Sequence, residues 1–295
     1  MRSEKEMLDL IIRTAQDDVR IRAVIMNGSR ANPNAPRDIM QDFDIVYIVT
    51  DVESFREDEG WIEQFGEILI MQMPDAMDDP PPADDGSFAY LVQFAGGNRL
   101  DLTLFPLDRL DEMHRDSLSI LLLDKGSILD GDALIAPFPP PSEANYLPCP
   151  PSAQAYADCC NEFWWLGPYV AKGLWRRQPI YARHVLDSLM RDQLIKMLTW
   201  HAGIRTRFAV NLGGYGKYLH EHIDPDLYPL LWQTYATVDD DSSWAALYAM
   251  CRLFRTAARH VAEHFGFDYP SADDERVSAY LRHVQALPRD AHSIF

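Results

Sequence analysis

The sequence predicts an α+β protein with a mixed-sheet N-terminal domain over residues 1–136, a proline-rich linker over 137–151 and an α-helical bundle over 152–295. Three observations carry this reading. Strand-like and helix-like runs interleave before residue 137. The stretch PFPPPSEANYLPCPP holds prolines that fit neither a helix interior nor a central strand, so it reads as a semi-rigid connector. Beyond it, apolar residues recur at three- and four-residue spacing, the signature of packed helices.

Residues 3–18 predict an amphipathic helix. Ser3 and Glu6 form a capping box, and Leu8, Ile11, Ile12 and Ala15 share one face. Arg22 to Met26 is a short apolar run stopped by Asn27-Gly28-Ser29, hence a strand and a turn. A polar loop follows, Arg30 to Met40. Asp42 to Val49 then reads as a strand from its β-branched and aromatic content. Further strands are expected at Ile68 to Met73, Phe88 to Phe94 and Leu100 to Phe105. A loop rich in Asp and Pro spans Pro74 to Gly86, and Leu107 to Ser117 is expected to be helical. In the second domain, Ser152 caps a helix bearing Tyr156, Phe163, Trp164 and Tyr169. Helices are also expected over Ala182 to Trp200, Trp244 to Phe265 and Ser271 to Leu287.

Apolar residues make up 47% of the chain and charged residues 24%, a globular balance that excludes general disorder. Apolar runs such as Ile120 to Leu123 are too short to cross a bilayer. The opening MRSEKEMLDL lacks the apolar core of a signal peptide, so a cytoplasmic location with no membrane partner is expected. The four cysteines, Cys149, Cys159, Cys160 and Cys251, form no CxxC pair and read as reduced thiols. The net charge of −18 counts against nucleic acid and suits a cationic ligand.

Chemistry concentrates in three pieces of the first domain. Asp42 and Asp44 are two apart in a strand, so both carboxylates face one way. Like charges so close repel, and burying them beside IVYIV is costly unless a cation lies between. All-oxygen ligands with room for substrate phosphates point to Mg²⁺. Asp101 sits among leucines in RLDLTLF and faces away from them. If its strand lies beside the DFD strand, three carboxylates converge and a two-metal site becomes possible. Gly28-Ser29 ends the upstream strand, where glycine permits close approach and the serine hydroxyl and backbone N–H groups can cradle phosphate. Arg30 is expected to add charge-assisted phosphate contacts. A lone GS or DxD carries little weight; their order and apolar settings carry more.

This ordered set resembles the DNA-polymerase-β-like nucleotidyltransferase superfamily. It resembles most closely the aminoglycoside 6-adenylyltransferases, also called streptomycin adenylyltransferases. The resemblance lies in NGSRANPNAPRDIMQDFDIVYIV (27–49), NRLDL (98–102), NEFWW (161–165), YVAKGLW (169–175), RDQLIKML (191–198) and GKYL (216–219), and covers nearly the whole chain. It implies Mg²⁺-dependent transfer of AMP from ATP to the 6-hydroxyl of streptomycin, a cationic aminoglycoside, with pyrophosphate leaving and antibiotic resistance as the outcome. Asp42 and Asp44 would hold the metal. Asp101 would complete a second metal site or act as general base. Gly28 and Ser29 would hold the β/γ-phosphates, with Lys217 and Tyr218, then Lys196 and Arg191, as further phosphate contacts. Asp75, Asp78, Asp79, Asp84, Asp85 or Glu162 could receive the guanidinium groups of streptomycin, and Trp164 or Trp165 could stack on them.

Other readings compete. The same chemistry could serve another small molecule or a protein side chain, or the fold could act as an inactive binding protein. His260-Val261-Ala262-Glu263-His264 fits the H-x-x-E-H zinc pattern, but without a third ligand it reads as the polar face of a late helix.

Overall fold

A computed structural model describes residues 1–58, 60–79, 81–82, 84–126, 139–237 and 239–295. The chain divides into two compact units, Met1–Asn145 and Tyr146–Phe295. The division falls inside the proline-rich segment, whose first two residues lie outside the described ones. The stretch before residue 145 is fastened to the first unit. Ser142 and Asn145 donate backbone N–H groups to Ser117, and Asn32 donates to Glu143 at 2.8 Å.

The first unit is built on a six-stranded mixed sheet in the order β3-β4-β5-β2-β1-β6. The strands are β1 (Ile21–Asn27), β2 (Phe43–Val49), β3 (Ile68–Gln72), β4 (Phe88–Phe94), β5 (Arg99–Pro106) and β6 (Ser119–Asp124). The central pair, β2 and β5, runs parallel, with Asp44 opposite Asp101. Alternation sends Phe43, Ile45, Tyr47 and Val49 to one face, where they pack with Leu100, Leu102 and Leu104. The Glu4–Asp17 helix covers that face with Met7, Ile11 and Ala15, and the Tyr47 hydroxyl donates to the Ile11 carbonyl at 2.6 Å. Its capping box forms as expected from Ser3 and Glu6. The opposite face carries Asp44 above a smaller apolar patch of Ala23, Ile25, Ile48 and Phe105.

One local expectation fails. Leu107 to Ser117 forms only a short 3₁₀ segment, Leu107–Glu112, because its apolar residues do not continue the stripe. The chain then turns at Asp116, whose carboxylate accepts the Leu118 N–H at 2.9 Å. The run at Ile120 to Leu123 belongs to an edge strand, β6, paired antiparallel to β1.

The second unit is helical. Its long helices are Ala153–Trp175, Arg191–Thr206, Asp240–Phe265 and Ser271–Ala286, with Ser152 capping the first as expected. The helix expected over Ala182 to Trp200 begins at Pro179 and widens into a π-type turn over Val185–Met190. One apolar core runs through this unit. It contains Phe163 stacked on Phe254 at 3.7 Å, with Trp164 edge-on to both.

Candidate active site

The site is a polar row across the middle of the sheet. Asp101 of β5 lies opposite Asp44 of β2, Asp44 opposite Asn27 of β1, and Asn27 opposite Ser119 of β6. Paired residues share a face, so the four side chains form one line on the side away from the Glu4–Asp17 helix. Ser119 donates its hydroxyl to the Asn27 side-chain oxygen at 2.7 Å. Asp42, one residue before β2, stands near the same end, partly exposed. A cavity of about 180 Å³ opens on this face, with Asn27, Thr103, His114, Asp116 and Ser119 among its walls.

Gly28 follows Asn27 with φ +71°, a left-handed value that glycine tolerates without strain. A Cβ at this position would stand 2.3 Å from Asp44 Oδ2 and 3.0 Å from its carboxyl carbon. The glycine therefore leaves space for the Asp44 carboxylate. Its own N–H donates to the Leu118 carbonyl at 3.1 Å, so the expectation that Gly28 offers an N–H to phosphate is corrected. Ser29 accepts a long hydrogen bond from Gln41 Nε2 at 3.4 Å, which leaves its hydroxyl proton for a ligand.

Arg30 is also corrected. Its guanidinium is buried against the Phe43 ring, 3.8 Å from the centroid. Nε donates to the Asp42 carbonyl at 2.8 Å, one terminal nitrogen donates to the Gln41 carbonyl at 2.7 Å, and the other lies 3.2 Å from Glu4. Arg30 thus anchors the entry to β2 and has no fork free for phosphate.

The electrostatics of the row are unfavourable. Burial pushes the Asp44 carboxyl up to about 6, and Asp101 and Asp42 push it in the same direction. Asp42 is raised too, by burial, with Arg99 opposing. Arg99 precedes Asp101 by two residues on the same face of β5. It donates from Nε and a terminal nitrogen to the two Asp101 oxygens, both at 2.9 Å, and its Nε lies 3.6 Å from Asp42. As the side chains stand, no group of three or more His, Cys, Asp or Glu among the described residues is arranged to hold a metal ion. The donor set nonetheless fits a hard divalent cation. It offers oxygen ligands crowded together on adjacent strands, beside a guanidinium already in the cation role.

The other expected phosphate contacts lie in the second unit. Lys196 is exposed on the Arg191–Thr206 helix, its Nζ 5.4 Å from the Trp200 ring centre. Lys217 and Tyr218 end a tight glycine-rich turn in which the Gly213 N–H donates to Asn211 and the Tyr218 N–H to the Leu212 carbonyl. Gly216 packs near Ile195, the neighbour of Lys196, so turn and helix meet. Arg191 does not serve as expected. It is buried, donates to the hydroxyl and carbonyl of Thr234 at 2.8 and 2.9 Å, and covers the Tyr235 ring. Trp164 is core, whereas Trp165 is 59% exposed beside Tyr169. In the Asp-rich loop, Asp75 accepts the Ala89 N–H and Asp85 is bound by Ser87, leaving Asp78, Asp79 and Asp84 exposed. His260 turns inward against His201, ring centres 4.6 Å apart, away from the geometry of a zinc motif shared with His264.

A mixed sheet with a glycine–serine turn pressed on a DxD carboxylate, and a third carboxylate on the parallel neighbour, defines a nucleotidyltransferase domain. Residues 1–284 match the family model described as streptomycin adenylyltransferase. The chain is 36% identical to the aminoglycoside 6-adenylyltransferase of Bacillus subtilis (strain 168) over 276 residues, 93% of this chain and 95% of that protein. It is 38% identical to the aminoglycoside 6-adenylyltransferase of Campylobacter jejuni over 282 residues, 95% of this chain and 95% of that one. A crystal structure of an aminoglycoside 6-adenyltransferase from Bacillus subtilis is 32% identical, covering 97% of this chain and 100% of that chain, with a TM-score of 0.47. The chain belongs to the streptomycin adenylyltransferase family and is an enzyme. Among the described residues, no helix is long and apolar enough to cross a membrane.

Proposed function

We propose that this enzyme transfers AMP from ATP to an aminoglycoside, specifically to the 6-hydroxyl of streptomycin, and releases pyrophosphate in a Mg²⁺-dependent reaction that confers resistance. The observation that carries the site assignment is the Asp101–Asp44 pair on parallel strands with Gly28 pressed against Asp44. Asp42 and Asp44 would hold the metal. Once bound, a divalent ion supplies neutralisation of the phosphate charge, the dominant need of phosphoryl transfer. Ser29 would donate its hydroxyl to the β/γ-phosphates. On the second unit, Lys196, Lys217 and Tyr218 offer further donors to phosphate. Asp101, on the strand beside Asp44, would act as a further ligand or take the proton from the acceptor hydroxyl. The exposed Asp78, Asp79 and Asp84 offer carboxylates to a guanidinium-bearing acceptor.

The test is pyrophosphate release from Mg-ATP across a panel of aminoglycosides. The proposal expects release that requires streptomycin. Release with other aminoglycosides alone would move the acceptor assignment, and release with none would remove it.

A further inference from the structure

The sequence offered no role for Arg99, yet its guanidinium is bonded to the side-chain carboxylates of the row. Its fork closes on both oxygens of Asp101 and reaches Asp42. Asp101 lies opposite Asp44 on the parallel strand, and Asp42 precedes Asp44 by two residues. A bidentate guanidinium uses the in-plane lone pairs of a carboxylate that a metal needs, and its charge repels a second cation at contact distance. Arg99 and a metal bound through Asp101 therefore compete for the same oxygens. The side chain is 43% exposed, so it can swing to solvent without a buried polar group being left behind.

We infer that Arg99 is a tethered counter-cation: it holds Asp42 and Asp101 together in the metal-free enzyme and must release Asp101 when a divalent ion enters. This rests on the metal-binding reading proposed above. It makes Arg99 a positioning residue that tunes metal affinity and keeps three crowded carboxylates in place before the nucleotide arrives. The fork matters as well as the charge, because a lysine is a point charge that cannot close on both oxygens at once.

The experiment titrates Mn²⁺, a spectroscopic stand-in for Mg²⁺, into the full-length metal-free protein and reads free Mn²⁺ by electron paramagnetic resonance. Wild type, Arg99→Met, Arg99→Lys and Asp44→Asn are compared. Removing an exposed ion pair of ordinary strength should tighten Mn²⁺ binding by Arg99→Met about two- to fivefold. Arg99→Lys should also tighten it, by less, because charge persists and the fork does not. Asp44→Asn should weaken it. Unchanged or weaker binding by Arg99→Met overturns the inference. So does an Arg99→Lys titration that superimposes on wild type, since only net charge would then be at work. Binding by wild type that Asp44→Asn abolishes, together with an indifferent Arg99→Met, leaves the metal site standing and removes Arg99 alone. Absence of Mn²⁺ binding in wild type and Arg99→Met alike overturns both.

Discussion

Gly28 and Asp44 are bound by a steric fact. No side chain fits at position 28 while Asp44 keeps its place, because a Cβ would overlap the Asp44 oxygen at 2.3 Å. Gly28→Ala is expected to lower kcat at least about 100-fold through misplacement of a group that must be held within a fraction of an ångström, with substrate affinity changed far less. Steady-state kinetics check this. Asp44 itself is expected to cost stability. With its folded pKa raised to about 6, the native state binds this proton more tightly than the unfolded chain, so stability is lost as pH rises from the ordinary carboxylate range through about 6. Asp44→Asn should therefore stabilise the metal-free protein by on the order of 2 kcal/mol near pH 8, a gain that fades towards about pH 4. Thermal unfolding in EDTA at the two pH values reads it; equal melting temperatures at high pH would contradict it. Asp42, Asp44 and Asp101 were legible because carboxylates in apolar strands need a reason. Arg30, Arg191 and Arg99 were not, because an arginine that anchors carbonyls, one that binds phosphate and one that guards a carboxylate look alike in a sequence.

At the scale of elements, strands with alternating or β-branched patterns were legible almost to their ends. β4 occupies Phe88–Phe94 as expected, and β5 extends the expected run by one residue at each end. β6 was missed because SILLLD is a short apolar run whose partner, β1, lies about a hundred residues upstream; such pairing leaves no local mark. Its loss hid Ser119, which orients Asn27 in the row. In the second unit, the Asp240–Phe265 and Ser271–Ala286 helices are joined by a buried ion pair. Asp274, 2% exposed, accepts from Arg255, Tyr269 and Ser278. Burial alone would raise its pKa, but these donors outweigh burial and hold it below the ordinary carboxylate value. The stability it supplies is thus present above the unfolded pKa and lost as pH falls through the folded one. Asp274→Ala should destabilise the protein at neutral pH by about 3 kcal/mol, because it leaves Arg255 unpaired, and the deficit should narrow in acid. Denaturant melts at two pH values decide it.

For the molecule as a whole, the −18 net charge sets the field that a substrate meets. On the proposed function, a polycationic acceptor would be drawn in and a triphosphate repelled, so salt should act on the two substrates in opposite directions. Raising ionic strength from about 0.05 to 0.5 M is expected to raise the KM for streptomycin several-fold and to leave the KM for ATP unchanged or lower. A streptomycin KM indifferent to salt would show that the charge serves solubility alone. The two compact units meet in sequence at residue 145, within the segment of prolines. What was not legible is that the segment before residue 145 is pinned to the first unit through Ser117 and Glu143, since such bonds depend on the folded surface.

On the proposed function, Asp44, set against Gly28 and opposite Asp101, would direct AMP to streptomycin. The most direct measurement is a mass spectrum of streptomycin after incubation with ATP, Mg²⁺ and either wild type or Asp44→Asn, the variant first shown by its melting curve to be folded. The account predicts a product heavier by one adenylyl group with wild type and none with Asp44→Asn. Equal product from both would contradict it and place the transfer elsewhere in the protein.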